Sequence, residues 1–479
     1  MTAGRVPGDP RGFAAVGAAE HRPGPATVLF DGTPVLEHRF RVPIDHSLTL
    51  EQARAQDADG TGVGPGGRGT LEVLAREVRA ADDPDGERPW LLYLQGGPGS
   101  GAPRPARLNG WQRELTTDFR LLLLDQRGTG GSTPATAATL AAHPTDEARA
   151  AHLTHLRAPS IVQDAEMVRL ALGAGPWTTL GQSFGGFCTL SYLSWHPEGL
   201  ERCLVTGGLA PLTGHADRVY RATYARMRER AEEFFARHPE DRAAWDEATA
   251  LVRAAEAAGA PVRLPDGSAL TVGRVQQLGM LLGGSTRVDQ LHWTLADAVD
   301  RTGAAPRLSE PFLAAVAAQA ERGTNPLYAV LHEAIYAQPA ALADGRAATA
   351  WSAARVLAEH PEFDPARSPA PLPTGEHVMP WSFETEAALS PLAGTARLLA
   401  EKEDWGPLYD LDALAANDVP VAAAVYAHDV YVDRDLSLET ADRVRGLRVW
   451  ETDAFHHDGL ADDGATIVRR LLSLARGED

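Results

Sequence analysis

The hexapeptide Gly181-Gln182-Ser183-Phe184-Gly185-Gly186 constrains the fold of this chain more than any other stretch. It follows a short β-favouring run at 177–180 and precedes residues 187–195, whose apolar spacing is helical, so Ser183 is predicted on a strand-to-helix turn. This is the G-x-S-x-G nucleophile elbow. A serine hydroxyl is a weak nucleophile until a base takes its proton, and a sharp turn presents Oγ to that base. Small residues at 181 and 185 let strand and helix approach closely, and the helix N-terminus brings backbone N–H groups to any oxyanion that forms. Such a pattern also arises by chance as an ordinary turn in a Gly-rich chain, so the neighbouring elements must decide.

Those elements repeat one theme. Residues 90–94 form a short apolar strand that runs into Gln95-Gly96-Gly97-Pro98-Gly99, and residues 119–124 form another that ends in Asp125-Gln126-Arg127-Gly128-Thr129-Gly130-Gly131-Ser132. Apolar strands separated by helical segments, with glycine loops at their carboxyl ends, predict an α/β fold with a mostly parallel sheet and a site along that edge. Neither glycine loop has the G-x-x-x-x-G-K-[ST] order of a phosphate-binding loop. Upstream, residues 36–44 and 70–78 are predicted to pair as a hairpin around a Gly-rich loop at 59–69, with residues 1–30 a loose arm. After a strand at 202–206 the pattern turns to amphipathic helices, among them 216–236, 241–258 and 311–319. The interval 213–403 therefore reads as a helical cap inserted into a core of 31–212 and 404–479. Strands at 419–426 and 448–452 and a helix at 464–475 resume the core.

The two late strands supply the partners that a serine nucleophile needs, in the order Ser, Asp, His. Tyr426-Ala427-His428-Asp429 puts Asp429 just beyond the first, with Asp433 and Asp435 as rivals deeper in the loop. Asp453-Ala454-Phe455-His456-His457 follows the second, and spacing alone does not separate His456 from His457. In this scheme His457 takes the Ser183 proton, Asp429 holds the imidazole, and the N–H groups of Phe184 and of the Gly96-Gly97 turn receive the oxyanion.

Other chemistries fit less well. His332-Glu333-Ala334-Ile335-Tyr336 begins like H-E-x-x-H but has tyrosine at the second ligand position, so no metal site is expected there, and no organic cofactor is called for. Acidic residues exceed basic ones by 64 to 45, a formal charge of −19, which argues against nucleic acid or an anionic membrane as partner and suits a cationic substrate. Two cysteines, Cys188 and Cys203, make no disulfide framework. With neither a signal-like start nor a long apolar run, a cytoplasmic location is the expectation.

In their order along the chain, Gln95-Gly96-Gly97-Pro98-Gly99, Asp125-Gln126-Arg127-Gly128 and Gly181-Gln182-Ser183-Phe184-Gly185-Gly186 resemble the prolyl aminopeptidases (proline iminopeptidases). These are S33-type peptidases of the α/β-hydrolase fold. The resemblance extends to residues 38–46, to Thr206-Gly207-Gly208-Leu209, to cap motifs and to His457-Asp458-Gly459-Leu460. Gln95 and Phe184 stand where many members carry His and Trp, a pattern similar to the longer subgroup. The resemblance implies a serine exopeptidase acting on small peptides with a free N-terminal proline. It also implies cap glutamates that hold the cationic amine, matched here by Glu333, flanked by Tyr336, and by Glu376, flanked by Trp381. Two carboxylates facing one cavity would raise one pKa by repulsion. The same fold serves many acyl transfers, so an esterase or amidase of different acyl specificity is the alternative. A non-catalytic binding protein is a third reading, which the intact Ser, Asp and His set disfavours.

Overall fold

The computed structural model describes residues 9–319 and 322–478. Seven strands precede the insertion: β1 (Glu20–Val28), β2 (Pro34–Pro43), β3 (Thr70–Val78), β4 (Trp90–Leu94), β5 (Arg120–Asp125), β6 (Trp177–Gln182) and β7 (Leu200–Thr206). Within the insertion, β8 (Val299–Asp300) and β9 (Arg307–Leu308) make a separate two-stranded ribbon. The strands β10 (Val421–Tyr426) and β11 (Leu447–Thr452) follow it. The large sheet runs β1-β2-β3-β5-β4-β6-β7-β10-β11. Its first three strands pair antiparallel and β3 meets β5 antiparallel, while β5, β4, β6, β7, β10 and β11 are parallel to one another. The α/β class, the mostly parallel sheet and the helical insertion before the last strands are as expected.

Why the central strands are apolar throughout follows from what covers them. Leu92 and Leu94 of β4 and Leu122 and Leu124 of β5 pack with Val162 and Leu190 from the helices Ala158–Ala171 and Phe184–Trp195. Leu91, Tyr93, Leu121 and Leu123 alternate to the other face, against Ile467, Val468 and Leu471 of the helix Gly459–Arg476. A strand buried on both faces has no polar side to show, so the two-residue alternation vanishes from its sequence.

The insertion joins β7 to β10 through the helices Ala216–Arg237, Pro239–Ala257, Arg287–Ala296 and Glu310–Gln319 and several short turns of helix. Tyr220, Trp245 and Leu291 of these segments belong to the same apolar cluster as Phe40, Val162 and Leu190. The cap therefore shares its core with the sheet, which fixes its position over the strand ends.

The loose arm expected over 1–30 is corrected by β1. Residues 1–8 lie outside the described residues, but Ala14 N donates to His46 O at 2.7 Å and Glu20–Val28 pairs with β2 from Glu20↔Arg41 to Val28↔Pro34. Ladder hydrogen bonds and the His21 ring stacked 4.8 Å from Phe40 hold a strand of low hydrophobicity. Proline is tolerated at an edge, and the register shifts between Pro23 and Ala26. The predicted hairpin of β2 and β3 is present, Val35↔Val78 to Pro43↔Thr70. Its connection contains a helix, Leu50–Asp59, capped by Thr49 and Gln52, ahead of the Gly-rich loop.

Candidate active site

The candidate residues gather where the parallel strands end. Ser183 follows β6 directly and is the N-cap of the helix Phe184–Trp195, with φ 54° and ψ −124°. A serine in this region is strained by about 1–3 kcal/mol, and the surrounding contacts must hold it there. They do so through backbone: Ser183 N donates to Thr206 O at 3.0 Å, and a Cβ on Gly185 would stand 1.9 Å from Leu94 O. Only glycine lets the helix sit so close to β4. The hydroxyl-bearing residue is 8% exposed.

Beside it lies the turn after β4. A Cβ on Gly96 would be 3.0 Å from the Ser183 Cβ, and Gly97 adopts φ 140°, a region that favours glycine. Gln126, just past β5, donates its Nε2 to Gln95 O at 3.0 Å and so ties this turn to the next strand. Asp125 accepts from Ala102 N at 2.8 Å and Gly131 N at 2.7 Å, which organises both glycine loops. Phe184, in the first turn of its helix, has an N–H with no partner in that helix.

Asp429 and His457 meet from the loops after β10 and β11, Nδ1 to Oδ2 at 2.8 Å, and both are buried. The other oxygen of Asp429 accepts from Tyr431 N at 2.8 Å and Val432 N at 3.0 Å, so the carboxylate is fixed by its own loop. A Cβ on Gly207, next after β7, would lie 3.3 Å from both Asp429 Oδ2 and His457 Nδ1, which puts the pair beside the strand that anchors Ser183. Burial opposes the charged imidazolium, but the charge and hydrogen bond of Asp429, with Asp458 and Glu376 behind them, outweigh it and lift the His457 pKa to about 9.

The rivals are engaged elsewhere. Asp433 caps the helix Arg434–Arg443 by accepting from Asp435 N and Leu436 N, and it also receives Arg226 Nε at 3.0 Å. Asp435 is an exposed partner of Arg434. His456 accepts or donates through Nδ1 to Ser285 Oγ of the cap at 3.2 Å, and burial pushes its pKa down to about 4. Of the two adjacent histidines, His457 is the one paired with a carboxylate.

From the cap, the charge of Glu376 acts on both members of this pair. It is half-buried, and the hydroxyl of Tyr328 donates to its Oε1 at 3.0 Å. Desolvation raises its pKa to about 7, with His457 pulling it down and Asp429 and Asp458 pushing it up. The repulsion anticipated between Glu333 and Glu376 is corrected here: burial is the first cause, and the carboxylates that add to it are Asp429 and Asp458. Glu333 is also raised by desolvation, and its Oε1 accepts from Ala353 N at 3.0 Å. Tyr336 packs its ring 5.6 Å from Phe187, on the helix that follows Ser183. The ring of Trp381 lies against Gly273 within the cap.

Two contributors left no mark in the sequence reading. Tyr328 is the hydrogen-bond donor to Glu376. Arg157, at the N-cap of Ala158–Ala171, donates Nε to Ala334 O at 3.0 Å and Nη2 to Ala337 O, and stacks 4.4 Å over Trp405. It thereby holds the cap segment that carries Glu333 and Tyr336 onto the core.

The sheet order and the serine elbow define an enzyme class, the hydrolases of the α/β-hydrolase fold, and a sequence model described as alpha/beta hydrolase fold matches residues 89–317. The proline iminopeptidase of Aeromonas sobria is 44% identical over 454 residues, which are 94% of this chain and 99% of that protein. A proline iminopeptidase of Aspergillus aculeatus is 32% identical over 448 residues, 91% of this chain and 93% of that one. The proline iminopeptidase of Xylella fastidiosa matches over a shorter stretch, 33% over 117 residues, 24% of this chain and 31% of its own. The chain belongs to the proline iminopeptidase family.

Proposed function

We propose that this chain is a serine exopeptidase that releases an N-terminal proline from small peptides through an acyl-enzyme on Ser183. The observation that carries the reading is Glu376, a half-buried carboxylate under the cap, held by the Tyr328 hydroxyl, whose charge is felt by His457. An exopeptidase needs a negative group at a closed end of its pocket, because the substrate's free amine is a cation.

His457 Nε2 takes the Ser183 proton as Oγ attacks the prolyl carbonyl. Asp429 keeps the other imidazole nitrogen protonated and stabilises the imidazolium that forms. The N–H of Phe184 and one from the Gly96-Gly97 turn receive the oxyanion, each such donor contributing about 10²–10³ in turnover. When the tetrahedral adduct collapses, the C–N bond breaks and His457 gives its proton to the leaving amine. Water, deprotonated by the same imidazole, then attacks the ester, freeing proline and restoring Ser183. Glu376 and Glu333 serve the amine: a prolyl N-terminus carries two N–H donors, one for each carboxylate. The bound cation offsets the charge of Glu376, one of the groups that holds His457 protonated, so substrate binding shifts the imidazole towards its basic form.

A cytoplasmic setting is part of the proposal, and two buried free thiols, Cys188 and Cys203, are compatible with it. Among the described residues no helix is long and apolar enough to cross a membrane. The mechanism is tested by acid-quenching the enzyme during turnover of a prolyl ester and mapping the modified peptide by mass spectrometry. A prolyl group on Ser183 is expected; an unmodified Ser183 with acyl label on another residue would contradict it.

A further inference from the structure

Away from the catalytic cleft, one group of metal-ligating side chains comes together among the described residues: His238, Glu240 and His292. His238 is the N-cap of the cap helix Pro239–Ala257, Glu240 stands in its first turn, and His292 lies on Arg287–Ala296. One ligand atom from each residue falls within 4.8 Å of those of the other two. The two imidazoles stack with centroids 4.4 Å apart and planes 22° apart. Two neutral rings can sit so, whereas two imidazolium cations would repel.

Two further observations give this group the preparation of a ligand set. His292 Nδ1 is 2.8 Å from Oδ2 of Asp241, a carboxylate only 1% exposed. Donation of the Nδ1 proton to that carboxylate selects the tautomer whose Nε2 lone pair is free, the second-sphere arrangement that orients metal-bound histidines. His238 Nε2, for its part, is buried and has no hydrogen-bond partner. A buried ring nitrogen without a partner is costly, and a cation would satisfy it.

We propose that His238, Glu240 and His292 form a binding site for a divalent transition-metal ion of the zinc type, with Asp241 holding His292 in place. Two imidazoles and one carboxylate are the donors that zinc accepts, with water in the fourth position. Imidazole disfavours magnesium and calcium, which take oxygen ligands. Tetrahedral bonds of about 2.0–2.1 Å set ligand atoms about 3.3 Å apart, so the three side chains draw together on binding. Exposed Glu240 supplies most of that movement. The ion cross-links two cap helices. The second of these begins at Arg287, whose guanidinium pairs with Asp458 beside His457.

The test is a calorimetric titration of the chelator-treated full-length protein with Zn²⁺, repeated with Co²⁺ while its visible absorption is recorded. Wild type is expected to show one saturable site with a tetrahedral cobalt spectrum and a zinc-dependent rise in Tm. His292→Ala should abolish all three, and Asp241→Asn should weaken binding about 10–100-fold. Because core changes can unfold the cap, Glu240→Gln is the control variant. Its side chain is exposed, its melting in chelator should match wild type, and its affinity should fall at least about tenfold, as for loss of an ion's anionic ligand. Wild type without a saturable site overturns the proposal. So does zinc binding of undiminished affinity in both Glu240→Gln and His292→Ala, since the ion would then sit elsewhere on the acidic surface.

Discussion

The hydroxyl of Tyr328 donates to Oε1 of Glu376 at 3.0 Å, joining two cap segments 48 residues apart in a half-buried niche. Desolvation places the Glu376 pKa at about 7, so below that pH the carboxyl is neutral and cannot pair with a cationic amine. KM for a prolyl amide is therefore expected to fall as pH rises from 6 to 8, and Glu376→Gln should remove that dependence. The loss of a charge-assisted contact worth about 1.5–3 kcal/mol predicts a drop of about 10–100-fold in kcat/KM. Steady-state kinetics of wild type and variant across this range check both statements.

Asp429→Asn keeps the shape of the His457 contact but offers an amide where the imidazole needs an acceptor. Turnover should fall about 10⁴-fold with little change in KM. The stability of the fold reports the same pair. His457 is raised from 6.5 to about 9, so the Asp429 interaction stabilises the folded state fully below 6.5 and is lost as pH climbs through 9. Between pH 7 and 9 the Tm of wild type should decline more steeply than that of Asp429→Asn, which calorimetry can follow.

Arg157 reaches the cap through carbonyls rather than through a carboxylate, and burial lowers its pKa to about 9. Lysine cannot span Ala334 O and Ala337 O with one planar fork. Arg157→Lys is expected to cost about 1–3 kcal/mol of stability and to raise KM for prolyl substrates more than it lowers kcat, because the segment bearing Glu333 loosens. Denaturation and kinetic measurements on one preparation separate the two effects.

How much of this was legible in the sequence depended on whether the determinant was local. The elbow carries its own motif, and the apolar strands β4, β5 and β10 could be read because burial on both faces leaves a continuous apolar run. The pairing of His457 rather than His456 could not, since adjacent residues differ only in the direction that the turn after β11 gives them. Strand β1 was hidden because its stability comes from a ladder with β2, not from its own composition. The helix Leu50–Asp59 did carry a local signal, Thr49 and Gln52 in capping-box spacing, which the glycines downstream obscured. Tyr328 and Arg157 act on partners 48 and 177 residues away, where no spacing rule operates.

Close backbone approach at the elbow makes a stability prediction. With a Cβ 1.9 Å from Leu94 O, Gly185→Ala must push the serine helix off β4, at a cost of about 3 kcal/mol or more. Gly175→Ala, where nothing lies within 4 Å, should melt like wild type. Urea denaturation of the two variants makes the comparison.

The central claim is that Ser183 cleaves after a free N-terminal proline. It is tested most directly by the rates of hydrolysis of prolyl, alanyl and N-acetylprolyl nitroanilides by wild type and Ser183→Ala. Rapid release from the free prolyl amide, little from the blocked one, and loss of both in Ser183→Ala are the predicted result. Faster cleavage of the blocked substrate, or release that survives Ser183→Ala, would contradict it.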